Sequence, residues 1–198
     1  MANVGVDHNR RRMLIGVTGG LGAVGAAYVA VPFLGSWQPS AKTKAAGAPV
    51  DIDISKLQDG QMIRPAWRGK PVYVLKRTQA QLDELKKMTT SGGLRDPNSN
   101  VLTQQPEYAH NEFRSIKPEV LVMIGICTHL GCAPTYKPDE GSVDADWKGG
   151  YFCPCHGSKF DTAGRVFKAV PAPTNLEVPP HYYISDTLIR VGSEKGEA

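Results

Sequence analysis

The chain has 198 residues, a mass of 21.4 kDa, a net charge of +4 and a mean hydropathy of -0.28, with 41% hydrophobic and 21% charged residues. The length suits one domain plus an appendage. The hydrophobic fraction excludes a disordered chain, and the negative mean hydropathy excludes a multi-span membrane protein. Residues 1–44 hold Arg10, Arg11, Arg12, Lys42 and Lys44 against Asp7, whereas the remainder balances 18 bases with 18 acids. The excess charge belongs to the N-terminus, and no basic patch for nucleic acid is expected in the folded part.

Arg10-Arg11-Arg12 precedes an uncharged run from Met13 to Leu34. As a helix, these residues reach about 33 Å, enough for a hydrocarbon core of about 30 Å. A cleaved secretory signal is the alternative, but its apolar region is shorter, about 7–15 residues. The segment reads as a retained single-pass anchor in membrane lipid, with Pro32 near its end and Trp37 where an interfacial aromatic belongs. The arginines place residues 1–12 in the cytoplasm and the main domain on the opposite side. Asn9-Arg10-Arg11-Arg12-Met13-Leu14 also resembles a twin-arginine export signal, which delivers folded, cofactor-loaded proteins. Gly16 and Gly20 form a GxxxG pair suited to packing on another helix.

Gly35 to Pro49 has few large apolar residues and reads as a tether of about 50 Å when extended. Within it, residues 41–48 are nearly indifferent between coil and helix, which suits a hinge. From Val50 the pattern is mainly β. Strands are expected at Val50–Ile54, Val72–Lys76, Val120–Ile126, Gly150–Cys153, Leu176–Val178, Tyr182–Ser185 and Leu188–Val191, separated by Gly, Pro and Asp turns. One helix is predicted after Thr78, where Thr78 and Gln81 have capping-box spacing, with a stripe of Ala80, Leu82, Leu85 and Met88. Gly92-Gly93 ends it, and the stretch to Pro118 is loop-rich.

All four cysteines lie between positions 127 and 155, as Cys127-Thr128-His129-Leu130-Gly131-Cys132 and Cys153-Pro154-Cys155-His156-Gly157-Ser158. Two disulfides would leave both histidines unexplained. Structural zinc normally shows C-x₂-C pairs or a C₂H₂ layout, and C-x₄-C with C-x-C-H matches neither. A mixed-ligand iron–sulfur cluster explains every residue, because C-x-H and C-x₂-H each aim one sulfur and one imidazole into a shared space.

CTHLGC followed by CPCHGS resembles the Rieske iron–sulfur proteins. With the twin-arginine anchor, the tether and a downstream proline loop, the chain as a whole resembles the Rieske subunits of bacterial ubiquinol–cytochrome c reductases. The resemblance implies a Rieske-type β-sandwich head at 50–198, with a small cluster-binding subdomain at about 121–175 and one 2Fe-2S cluster. It implies that Cys127 and Cys153 ligate the inner iron, that His129 and His156 ligate the outer iron, and that Cys132 and Cys155 form a disulfide over the cluster. Ser158 matches a hydrogen-bond donor to a bridging sulfide, and Leu130 a residue that shields the cluster and faces quinone.

Phe160 stands where many relatives have Tyr, which implies a lower potential. Val170-Pro171-Ala172-Pro173 resembles the covering Gly-Pro-Ala-Pro loop, with Val170 in place of Gly. The implied partners are ubiquinol, a cytochrome b subunit and a c-type cytochrome subunit in a dimeric complex. The implied location is a bacterial inner membrane with a periplasmic head. His156 is the expected proton acceptor, so the potential falls as pH rises. A Rieske subunit of another exported oxidoreductase, such as an arsenite oxidase, is the first alternative and a structural zinc-binding module a remote second; a Rieske oxygenase lacks room after Ser158. His8, His110 and His181 have no metal-like neighbours and read as surface or packing residues.

Overall fold

The computed structural model describes residues 5–194. It divides between residues 45 and 46 into two compact units. The first is dominated by α1 (His8–Ser36), which begins five residues before the uncharged run and ends two residues after it. Asp7 is the reason for the early start: its carboxylate accepts from the backbone N–H groups of Asn9 and Arg10 at 3.0 and 3.1 Å, satisfying donors that have no intrahelical partner. Pro32 lies inside the helix without ending it. Every residue of α1 is exposed. Among the described residues this is the helix long and apolar enough to cross a membrane. Within the tether, α2 (Ala41–Ala46) takes the helical of its two nearly equal options.

The second unit is built on two central antiparallel strands, β4 (Lys70–Lys76) and β5 (Val120–Ile124), with Val72 opposite Ile124 and Val74 opposite Val122. Side chains alternate across a strand, so the pair has two faces. Val72, Val74, Val120, Val122 and Ile124 point one way, and Tyr73, Leu75, Leu121 and Met123 the other. All nine are buried, so the central strands are covered on both sides.

The first face packs on a three-stranded antiparallel sheet of order β1–β10–β9. Its strands are β1 (Val50–Asp53), β9 (His181–Ser185) and β10 (Leu188–Val191). Ile52, Ile189 and Val191 supply the facing layer of this sandwich. The short strands β2 (Met62–Ile63) and β3 (Ala66–Trp67), too short for periodicity to reveal, pair along the free edge of β4.

The second face carries a smaller meander of β6 (Thr135–Lys137), β7 (Gly150–Cys153) and β8 (Ser158–Phe160). The single well-marked helix, α3 (Gln79–Thr90), has the full capping box between Thr78 and Gln81. Leu82 and Leu85 are buried, Met88 is half-buried and Ala80 is exposed, so the inward stripe is narrower than the sequence suggests. Leu176–Val178 is not a strand: its backbone is shared among separate partners, with Leu176 N–H donating to Gly164, Glu177 C=O accepting from Ile124 and Val178 N–H donating to Gln104. Residues 93–118 contain two short 3-10 turns, Leu102–Gln104 and Glu107–Ala109, and are held by buried arginines rather than by a ladder.

Candidate metal centre

The two cysteine motifs are the loops at one end of this second layer. The first lies between β5 and β6. The second is the hairpin loop joining β7 to β8, with Cys153 and Ser158 as its closing pair. The two loops share one local device. Gly131 N–H donates to Cys127 C=O at 3.0 Å, and Gly157 N–H donates to Cys153 C=O at 2.9 Å. Each loop is thus a single five-residue turn that starts on a cysteine. Each ends on a glycine in the left-handed region, at φ 81° and 78°, where a side chain is strained. The turn explains the spacing: it brings the histidine inside each loop back toward the cysteine that opens it.

Cys127 and Cys153 are buried free thiols. Cys132 and Cys155 are joined as a disulfide, with Cα atoms 6.7 Å apart, which ties one loop to the other. The sulfurs of Cys132, Cys153 and Cys155 lie within 4.8 Å of one another, but two of them are consumed by that bond and Cys153 alone keeps a thiol. The imidazoles of His129 and His156 meet edge to face with centroids 4.7 Å apart. His156 is exposed, whereas His129 is half-buried and its Nδ1 is buried with no hydrogen-bond partner.

Burial pushes the Cys127 thiol up. The neighbouring Cys153 thiol adds to that rise, whereas the backbone N–H of His129 and the hydroxyl of Ser158 act against it. Ser158 is buried and its oxygen also accepts from Ala172 N–H at 3.0 Å. Leu130, at 69% exposure, stands beside His129 as an uncovered apolar side chain.

The proline loop closes a third side. Val170 is buried in the core, and Pro171 and Pro173 are exposed. The left-handed residue here is Ala169 at φ 55°, one position before Val170. This is how the loop turns without a glycine at 170. Phe160 is fully buried opposite Tyr151, filling core space without a hydroxyl. Of the remaining histidines, His8 is exposed on α1, His110 contacts the Asn98 carbonyl, and His181 is buried against Tyr108.

Several supporting residues carry no motif of their own. Thr128 donates to the Thr174 carbonyl at 2.7 Å, linking the first loop to the proline loop. Tyr73 donates to the Pro134 carbonyl at 2.7 Å, fixing the exit of the first loop. Directly after β8, Asp161 and Arg165 form a fully buried ion pair at 2.7 Å. Arg165 also donates to Thr89, Pro97 and Leu85, so it bolts α3 and the 93–118 segment to the hairpin that carries the second motif. Arg77 and Arg114 span the same region through backbone carbonyls, and burial lowers both to about 10. The Asp-x₃-Arg spacing was the one available sequence signal for this network.

The donor set fits an iron–sulfur group. Two buried thiols, two converging imidazoles and an unpartnered buried nitrogen on His129 are the soft and borderline ligands of a mixed-ligand 2Fe-2S centre. The class is therefore a Rieske-type protein, and the comparisons with known proteins agree. The Rieske [2Fe-2S] domain family matches residues 50–180. The family described as Ubiquitinol-cytochrome C reductase Fe-S subunit TAT signal matches residues 1–40. The ubiquinol–cytochrome c reductase iron–sulfur subunit of Allochromatium vinosum is 56% identical over all of this chain and 95% of its own length. That of Bradyrhizobium diazoefficiens is 43% identical over 94% of this chain and 96% of its own. A chain of a hyperthermophilic respiratory Complex III is similar at 25% identity and a TM-score of 0.48, covering 90% of this chain and 98% of that one. The chain belongs to the Rieske iron–sulfur subunits of ubiquinol–cytochrome c reductase, as a membrane subunit with an electron-transfer role and a Rieske 2Fe-2S cluster.

Proposed function

We propose that the chain accepts one electron from ubiquinol, takes the accompanying proton on His156, and delivers the electron to a c-type cytochrome subunit. The observation that carries this reading is the asymmetry of the two imidazoles: His156 is exposed, while His129 is half-buried next to the exposed Leu130. In this reading Cys127 and Cys153 hold the inner iron, and His129 and His156 hold the outer one. When bound, the cluster supplies a one-electron acceptor whose potential is raised because two neutral imidazoles replace two thiolates.

His156 offers its free ring nitrogen to the quinol hydroxyl and holds the proton there. Leu130, Pro171 and Pro173 form the apolar rim that a quinone ring packs against and that keeps water away from the imidazole edge. The Cys132–Cys155 disulfide holds the two loops together, and Ser158 donates toward the ligand sulfur, a contact that favours the more reduced state. The partners in this reading are a cytochrome b subunit, which takes the second electron, and a c-type cytochrome subunit, within a dimeric complex of a bacterial inner membrane. The arginine triplet places the N-terminus in the cytoplasm and the head in the periplasm. The tether, including α2, is the hinge that lets the head visit both partners.

The test is reduction by the proposed substrate. Ubiquinol added anaerobically to the membrane complex should produce the paramagnetic signal of the reduced centre. A signal that appears with dithionite but not with ubiquinol would overturn the reading. Leu130→Ala should keep the dithionite-reduced signal and slow quinol oxidation several-fold. Phe160→Tyr should raise the midpoint potential, because the added hydroxyl supplies a donor near the ligand sulfurs. An unchanged potential in a redox titration would remove Phe160 from the account.

A further inference from the structure

Of the three sulfurs that lie within 4.8 Å of one another, Cys132 and Cys155 share a disulfide, and Cys153 is a free thiol with 1% exposure. A thiolate formed that close to a disulfide needs no diffusional encounter to attack it. Cys127, the other free thiol, lies outside this group. We propose that Cys153 exchanges with the Cys132–Cys155 disulfide whenever it is not holding iron, so that iron at Cys153 is what keeps the disulfide in its observed pairing. The inference rests on the reading of Cys153 as a ligand.

The step balances without an external oxidant. The Cys153 thiolate attacks Sγ of Cys132, a Cys132–Cys153 bond forms, the Cys132–Cys155 bond breaks, and Cys155 leaves as a thiolate that takes up the proton Cys153 lost. Attack on Cys132 is preferred over attack on Cys155 for two reasons. A Cys153–Cys155 bond would close a small ring across Pro154, whose fixed φ resists the required geometry. Attack on Cys132 also expels the sulfur of Cys155, an exposed residue with room to swing away.

Four cysteines allow three pairings, and the fold alone places Cys153 within reach of both disulfide sulfurs. With Cys127 and Cys153 engaged by iron, one pairing remains. The order of assembly follows: cluster insertion precedes oxidation of Cys132 and Cys155. The match of residues 1–40 to a twin-arginine signal is in keeping with that order, because such signals move folded, loaded proteins into an oxidising compartment.

The test uses the full chain in detergent, loaded and after anaerobic removal of iron with a chelator and no reductant. Both samples are held at mildly alkaline pH, quenched in acid, alkylated and mapped by peptide mass. The loaded chain should keep Cys132–Cys155 throughout. The stripped chain should convert to Cys132–Cys153 with Cys155 alkylated, over the minutes to hours of uncatalysed disulfide rearrangement. Stripped Cys127→Ser should convert likewise, and Cys153→Ser should retain Cys132–Cys155. A stripped chain that keeps only Cys132–Cys155 overturns the proposal. So do disulfides to Cys127 in equal yield, which would mean exchange through unfolding. The ligand reading fails separately, if Cys153→Ser retains the paramagnetic signal of the reduced centre.

Discussion

Both faces of the β4–β5 pair are buried under apolar clusters, but only one of them is also cross-braced by buried charge. On the β1–β10–β9 side the packing is almost wholly aliphatic, with Ile52, Val72, Val74, Val122, Ile189 and Val191 closing a conventional sandwich. On the other side lie the cysteine loops, and beneath them the Asp161–Arg165 pair together with Arg77 and Arg114. Aliphatic contacts are non-directional and tolerate exchange of similar volumes. Buried guanidinium groups are directional: each must meet particular carbonyls or a carboxylate, and leaving one unmatched is costly. The face that only has to be stable is apolar. The face that has to hold two loops in register is cross-braced by charge.

Breaking the brace should have the largest effect. Arg165→Ala leaves Asp161 buried without its cation, and a loss of about 3–5 kcal/mol is expected. Thermal unfolding of the purified chain measures it, and the signal of the reduced centre should fall in parallel, since α3 and the second loop lose their common anchor. A melting temperature within a degree or two of the parent would refute the brace. The aliphatic face should respond less. Ile189→Val is expected to cost about 0.5–1.5 kcal/mol and to leave the paramagnetic signal unaltered; a weakened signal would show that the two faces are not independent.

Smaller still is the Thr78 cap of α3, the helix that Arg165 ties to the second face. Thr78→Ala should cost about 1 kcal/mol in urea unfolding, and no change in midpoint would mean that packing of Leu82 and Leu85 alone holds the helix start.

The apolar side has one pH-sensitive residue of note. Burial holds His181 below its ordinary pKa, although its Nδ1 contact with the Pro179 carbonyl works the other way. The unfolded chain therefore binds a proton at a pH where the folded chain does not, and stability is lost as pH falls through about 6.5. Replacing His181 with Gln should flatten the decline of melting temperature between pH 7 and pH 5. A slope as steep as the parent's would assign the acid sensitivity elsewhere.

Much of the molecule is legible in the residues because it is encoded locally. The uncharged run after Arg10-Arg11-Arg12, the Thr78–Gln81 box and the short β-branched and aromatic runs of Val72–Leu75 and Val120–Ile124 are each set within a few neighbouring residues, the range over which helix caps, turns and pleats operate. Both cysteine loops are legible for the same reason, since their geometry is one turn closed by Gly131 and Gly157. Local pattern does not decide everything: Leu176–Val178 has strand composition yet no single partner strand, and Ala80 has helical phase yet faces solvent.

The order of residues along the chain already carries the kind of chemistry: two Cys–His turns, an apolar anchor and a tether. Which groups meet is settled by packing. It sets Cys132 against Cys155 with Cys153 at their side, leaves His156 in the open and the His129 nitrogen buried, and brings Arg165 from beyond β8 to the carbonyl of Leu85, 80 residues earlier. Those distances depend on how two layers pack across β4 and β5, and no spacing along the chain specifies them.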